Sequence, residues 1–191
     1  MLIQPVILAA GSSSRMSSPK QLLKFKGKTL IRLIADHLAA LSLLPTLCVT
    51  GFLESELHEA LEGMDIRFIH NRDHQKGMTS SIRFAMEHAQ ANCDAVFISL
   101  TDQPLIPPSH FKAMVDAAQE AKCKIVATAY KETLGVPALF KSTFFEDLLT
   151  LEGKGGAKQL ISDHLSNTRL VACEAAERDI DTDDDYQQLI G

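Results

Sequence analysis

The residues best suited to chemistry begin in VILAAGSSSRMSSPKQLL, residues 6–23, where an apolar run stops at Gly11 and a polar, basic loop follows. A glycine directly after a buried strand lets the chain turn sharply and lets a ligand approach the backbone. Consecutive backbone N–H groups and serine hydroxyls can then surround phosphate oxygens as an anion nest. Arg15 adds a planar, permanently charged fork and Lys20 a mobile point charge. Together they suit a triphosphate; the competing reading is a solvated surface loop with ordinary cations. Two other phosphate motifs fail: GSSSRM has neither the later glycines of GxGxxG nor the GK[ST] ending of a P-loop.

Asp102 stands two residues beyond AVFISL, the most hydrophobic strand candidate in the chain. A carboxylate there suits Mg²⁺, which takes one or two carboxylates together with water and phosphate oxygens. A turn or capping aspartate ahead of Pro104 is the plainer alternative. In HNRDHQKGMTSSI, Gly77 leads into a helix whose free N–H groups and serine hydroxyls can read a pyrimidine. Simple N-capping by Thr79 or Ser80 explains the same spacing. His70 and His74 lack a third ligand and make no metal site. RDIDTDDDYQQL carries five aspartates in seven positions from Asp179, which suit the N-terminus of a last helix capped by Thr182 or Asp183.

These residues need a frame that gathers loop ends. Strands are expected over 4–10, 46–51, 66–71, 95–100, 125–130 and 136–140, with further extended chain at 168–173 and around Ile180. Helices are expected over 29–41, 54–62, 79–89, from Pro107-Pro108 to Ala121, and over 142–151, 157–165 and 184–190. This alternation implies βαβ units: an α/β fold with a single doubly wound, mainly parallel sheet flanked by helices. Ligands in such sheets sit beyond the carboxyl ends of the strands, near the switch in strand order. That is where the first loop and Asp102 fall.

The 191 residues suit one domain, with 46% hydrophobic and 23% charged residues in the ordinary globular range. A net charge of −5 argues against general nucleic-acid binding. No basic leader precedes the first strand, and no apolar run reaches the ~18 residues of a membrane span. A cytoplasmic protein is expected. Cys48, Cys93, Cys123 and Cys173 are scattered without CxxC spacing and read as reduced thiols in or near strands.

LAAGSSSRMSSPKQLL resembles the LAAGxSxRMGxPKxLL signature of the MobA-like NTP transferases, and more narrowly that of the molybdenum-cofactor cytidylyltransferases, the MocA-like group. Ser17 stands where that signature has glycine. Related guanylyltransferases carry LAGG and an acid before the lysine, so Ala10 and Pro19 favour cytidine by analogy. TDQPL is similar to the family's GDQPL metal motif, with Thr101 for glycine. The stretch from Asn71 is similar to N-x-x-x-x-x-G-M-x-S-S, in which the glycine and serine contact the base, here Gly77 and Ser81. RDIDTDDD resembles DIDTPED, whose aspartate before the threonine approaches the metal; Asp181 is the match, and Asp183 replaces proline. ETLGVPALF and LEGKGGAKQLI resemble the acceptor-side GHPVLF and LxGDxGAxxLL, with Val136 for histidine and Lys154 for an acid.

The resemblance implies transfer of CMP from CTP to the terminal phosphate of molybdopterin, with pyrophosphate released and Mg²⁺ as cofactor. It assigns catalysis to Arg15, Lys20 and Asp102, and the metal to Asp102 and Asp181. Nucleotide binding falls to Ala9, Ala10, Gly11, Ser12, Ser13, Arg15, Lys20, Gly77 and Ser81. Residues 1–105 would hold the nucleotide and 106–191 the acceptor, with a molybdenum hydroxylase or dehydrogenase as client. Open alternatives are a cytidylyltransferase for a sugar or methylerythritol phosphate, and a carrier of the cofactor that does no chemistry. The missing glycine fingerprint disfavours a nicotinamide oxidoreductase.

Overall fold

The computed structural model describes residues 1–120, 122–153 and 155–191. In chain order the elements are β1 (Ile3–Leu8), a 3-10 turn (Lys20–Leu22), β2 (Lys24–Phe25), β3 (Lys28–Thr29), α1 (Leu30–Ala39), β4 (Thr46–Thr50), α2 (Glu54–Ala60) and β5 (Ile66–His70). There follow α3 (Met78–His88), β6 (Ala95–Leu100), α4 (Pro108–Ala118), β7 (Ile125–Tyr130), β8 (Thr133–Lys141), α5 (Phe145–Leu149), α6 (Gly156–Asp163), β9 (Thr168–Ala172) and α7 (Asp183–Ile190).

Seven strands form one sheet in the order β5-β4-β1-β6-β8-β7-β9. β1 pairs in parallel with β4 on one side and β6 on the other, so the strand order turns between β1 and β6. β8 alone runs against its neighbours, antiparallel to both β6 and β7, while β9 resumes the parallel direction beside β7. The mainly parallel, doubly wound α/β arrangement is the expected one.

Alternation along each strand builds two cores. In β6, Val96 and Ile98 face a cluster with Ile82, Ala85 and Met86 of α3 and Leu160 and Ile161 of α6. Ala95 and Phe97 face the other side, against Ile31, Ile34 and Leu38 of α1 and Phe111 and Met114 of α4. Phe97 and Phe111 set their rings 5.9 Å apart. Burying a side chain of this size contributes about 1.5–3 kcal/mol. Both faces being covered explains why the central strands read as continuous apolar runs.

Two expectations needed correction, and one element had not been foreseen. Ile180 lies in no strand: a 3-10 turn at Glu174–Glu177 comes first, and the N–H of Ile180 donates to the carbonyl of Asp102 (2.8 Å) rather than to a ladder. The helix after Pro107 closes at Ala118; its expected end, Ala121, is outside the described residues. The β2–β3 hairpin was not anticipated. It turns on Lys26 and Gly27, both with positive φ (50° and 80°), the geometry a two-residue hairpin loop requires. Among the described residues no helix is long and apolar enough to cross a membrane.

Candidate active site

At the carboxyl ends of β1 and β6 lies a cleft of ≈ 390 Å³. Seven of the anticipated residues line it: Ala10, Gly11, Ser12, Lys20, Gly77, Ser81 and Asp102. A Cβ built on Gly11 meets nothing within 4 Å, so this glycine borders open space in the cleft. The loop beyond it is folded on itself. Ser13 takes a left-handed conformation (φ 50°), and its hydroxyl accepts from the N–H of Lys20 (3.0 Å) and donates to Gln21 Oε1 (3.3 Å). Buried Gln21 donates in turn to the carbonyls of Ala9 and Gly11 (2.9 and 2.7 Å).

Ala9 itself is committed to the sheet. Its N–H donates to the Val49 carbonyl (2.9 Å), so this amide is not free to hold a phosphate. Gly51 fits tightly, since a Cβ there would come 2.9 Å from the Ala10 carbonyl and 3.0 Å from the His74 ring.

The charged groups meet across the cleft mouth. Lys20 Nζ lies 2.6 Å from Asp102 Oδ2 and 3.1 Å from Asp181 Oδ1, and Arg15 Nη2 lies 2.7 Å from Asp181 Oδ2. Burial alone would lower the pKa of Lys20, but the two carboxylates outweigh it and raise the value above the ordinary lysine range. Burial opposes ionisation of Asp181, yet Lys20 and Arg15 hold it below the usual carboxylate range. Asp179 goes the other way: desolvation, then the neighbouring Asp102 charge, push it up to about 6. The loop is tied down further by Asp183, which accepts from the backbone N–H and hydroxyl of Ser17. Thr182 and Asp185 form a reciprocal capping box at the start of α7, so Thr182 is the cap and Asp181 is held just outside the helix.

Oδ1 of Asp102 is buried and, among the described residues, has no protein partner. An unpaired oxygen on a carboxylate whose other oxygen pairs with Lys20 fits a divalent ion bound jointly with phosphate oxygens. Among the described residues no group of three His, Cys, Asp or Glu side chains converges, so protein atoms alone do not complete a cation shell.

The opposite wall comes from the loop after β5. Gly77 has φ 96° and ψ −176°, a region open in practice only to glycine, and it precedes α3 without a side-chain cap. Neither Thr79 nor Ser80 therefore acts as the N-cap. Thr79 donates to the Gly153 carbonyl (2.8 Å), which fastens α3 to the turn before α6, and Ser80 bonds the carbonyls of Asp73 and Gly77. Gly153 and Gly156 both have positive φ, as a turn between helices demands; Lys154 is outside the described residues. His74, Gln75 and Met78 also line the cleft and were not anticipated, as Gln21, Gly51 and Asn71 were not. Gln21 sits beside Lys20 in the first loop's motif, and Asn71 opens the second; the other positions gave no signal.

A family model described as the MobA-like NTP transferase domain matches residues 5–168. The "Bifunctional protein GlmU" of Francisella tularensis subsp. novicida (strain U112) is 28% identical over 146 residues, 75% of this chain and 31% of that protein. This chain thus spans about a third of the length of that curated relative. Rv0371c from Mycobacterium tuberculosis H37Rv superposes with a TM-score of 0.83 at 27% identity, over 100% of this chain and 98% of the other. Its complex with manganese superposes at 0.79 with 26% identity and the same coverage. A nucleotidyl transferase from Methanothermobacter (Mth528) shares the fold at a TM-score of 0.84 and 23% identity, over 98% and 95% of the two chains.

Proposed function

This chain belongs to the MobA-like NTP transferase family, and from that premise we propose that it transfers CMP from CTP to the terminal phosphate of molybdopterin, releasing pyrophosphate. The observation that carries the reading is the Lys20–Asp102 contact of 2.6 Å at the mouth of the cleft, beside the serine-rich turn. A cation and an acid converging on one cavity at the strand-order switch, with Arg15 tied to them through Asp181, suit a nucleoside triphosphate bound with a metal.

The acceptor phosphate is already anionic near neutral pH, so its oxygen attacks the α-phosphorus without a general base. A new O–P bond forms as the bond to the bridging oxygen of pyrophosphate breaks. Catalysis is then chiefly alignment and neutralisation of charge. Lys20 and Arg15 exchange their carboxylate partners for phosphate oxygens and hold the leaving group. Asp102, with Asp181, would hold a divalent cation, Mg²⁺ in this reading, whose role is to neutralise and orient the α-phosphate. That Rv0371c forms a complex with manganese supports a role for a divalent ion in this reading. Gly77 and Ser81 would receive the base, and the β7–β8 side of the cleft the acceptor.

Val136, standing where the resemblance leads one to expect an imidazole, favours a second reading in which the acceptor is another small phosphate. The deciding experiment is pyrophosphate release with each NTP and Mg²⁺, with and without molybdopterin, and with sugar phosphates in its place. Release that depends on CTP and molybdopterin is expected; release with sugar phosphate alone selects the second reading. Cofactor binding with no release at all overturns both.

A further inference from the structure

We infer that Asn71 is a positioning residue that fixes the hydrogen-bond polarity of Ser81, so that the Ser81 hydroxyl meets the nucleobase as a donor. The inference rests on the nucleotidyl-transfer reading above and extends it to base selection.

Asn71 follows β5 and is only 3% exposed. Its backbone is anchored at both ends, the N–H on the Thr50 carbonyl (3.0 Å) and the carbonyl on the His74 N–H (3.2 Å). The side-chain oxygen accepts from the N–H of Asp73 at 2.9 Å. A backbone N–H can only donate, so this contact decides which end of the amide is oxygen. The NH₂ group is thereby turned to Ser80 Oγ (3.2 Å) and Ser81 Oγ (3.1 Å), one hydrogen for each.

The two serines then differ. Ser80 gives its own proton to the carbonyls of Asp73 and Gly77 (3.0 and 2.9 Å). Ser81 accepts from Asn71 and, among the described residues, donates to no protein group. It is 4% exposed and lines the cleft. A buried hydroxyl proton needs an acceptor, and the open side here is the cleft. A base that presents a ring nitrogen lone pair at this point satisfies it. A base that presents ring N–H sets donor against donor and leaves both unpaired. Cytosine and uracil differ in this way at N3, acceptor in one and donor in the other.

The test is a double-mutant cycle read by steady-state pyrophosphate release with CTP and UTP, using wild type, Ser81→Ala, Asn71→Asp and the double variant. Aspartate at 71 still accepts from Asp73 but has oxygen in place of NH₂, and so draws the Ser81 proton away from the cleft. Each single change should raise KM for the preferred nucleotide about tenfold and shrink the CTP/UTP preference. The value of kcat should stay within about threefold of wild type. The double variant should be no worse than Asn71→Asp alone. Additive losses, or an unaltered CTP/UTP preference in Ser81→Ala, would overturn the assignment while leaving the transferase reading in place. A wild-type protein that neither binds nor turns over any NTP would overturn both. If Asn71→Asp does not fold, Asn71→Ala takes its place in the same cycle, with the same expected and overturning results.

Discussion

Lys20 and Asp102, 82 residues apart in sequence, meet at 2.6 Å, and the other oxygen of Asp102 is buried without a partner among the described residues. One oxygen of this carboxylate is thus matched by Lys20, and the other is not. Lys20→Ala or Asp102→Ala should lower pyrophosphate release ~10²-fold or more, the scale of losing one preorganised electrostatic group. Stability should split the two. Lys20→Met strands a largely buried charge and should cost about 3 kcal/mol in denaturant unfolding, whereas Asp102→Asn should cost less. Turnover of either alanine variant within a few-fold of wild type would remove the pair from the mechanism.

Asp181 is the more exposed of the two acids, and its ion pairs with Lys20 and Arg15 make it readable by metal titration. Asp181→Asn should raise the Mg²⁺ concentration for half-maximal activity about tenfold, the loss expected when a metal site's support is weakened. Saturating metal should restore most of the rate. An unchanged metal requirement would confine Asp181 to holding the loop.

Gly11 and Gly51 should behave oppositely. A Cβ at Gly11 has open space, so Gly11→Ala should leave the unfolding midpoint unchanged or slightly raised. The methyl group would instead intrude on the ligand, weakening NTP affinity about tenfold, some 1.4 kcal/mol. At Gly51 the methyl meets the Ala10 carbonyl at 2.9 Å, and overpacking of that kind costs about 1–3 kcal/mol of stability. Isothermal titration with NTP and thermal melts separate the two effects.

His110 provides a pH readout away from the cleft. It is buried on α4, its pKa is lowered by desolvation, and its Nε2 lies 2.9 Å from Thr128 Oγ1. Because Thr128 gives its proton to the Pro137 carbonyl (2.7 Å), its oxygen accepts from His110, which fixes the Nε2–H tautomer. Below the ordinary histidine value of about 6.5 the unfolded chain binds the extra proton more readily than the folded one. The stability His110 contributes is therefore whole above that pH and is lost as pH falls through the folded-state value. His110→Gln should flatten the melting-temperature profile on the acid side of about pH 6.5. An equal slope in both proteins would refute the assignment.

The sequence made legible what depends on local chemistry. Apolar runs end at Ala10 and Leu100, so the loops that follow had to lie at one edge of the sheet, and Lys20 and Asp102 could be read there. What it hid depends on distant partners. Nothing near Gly51 announces the Ala10 carbonyl, and the hold of Asp183 on Ser17 spans 166 residues. Thr79 looked like a cap because caps are read from neighbours, yet its hydroxyl is claimed by Gly153, 74 positions away. The stretch around Ile180 looked extended because one buried apolar residue among polar ones mimics a strand. Its single bond to Asp102 makes it a strut behind the acid instead.

The reversal at β8 has a bearing on how this cleft could change. Because that strand descends beside β6, the connection from β7 is a tight hairpin at Lys131 and Glu132, on the same rim as Asp102. That rim therefore joins the loops after β1 and β6 to the tip of a ribbon, where each doubling of length costs only about 0.6 kcal/mol in closure entropy. Residues added at Lys131 and Glu132 would reshape the rim beside Asp102 while leaving the register of β7 and β8 unchanged.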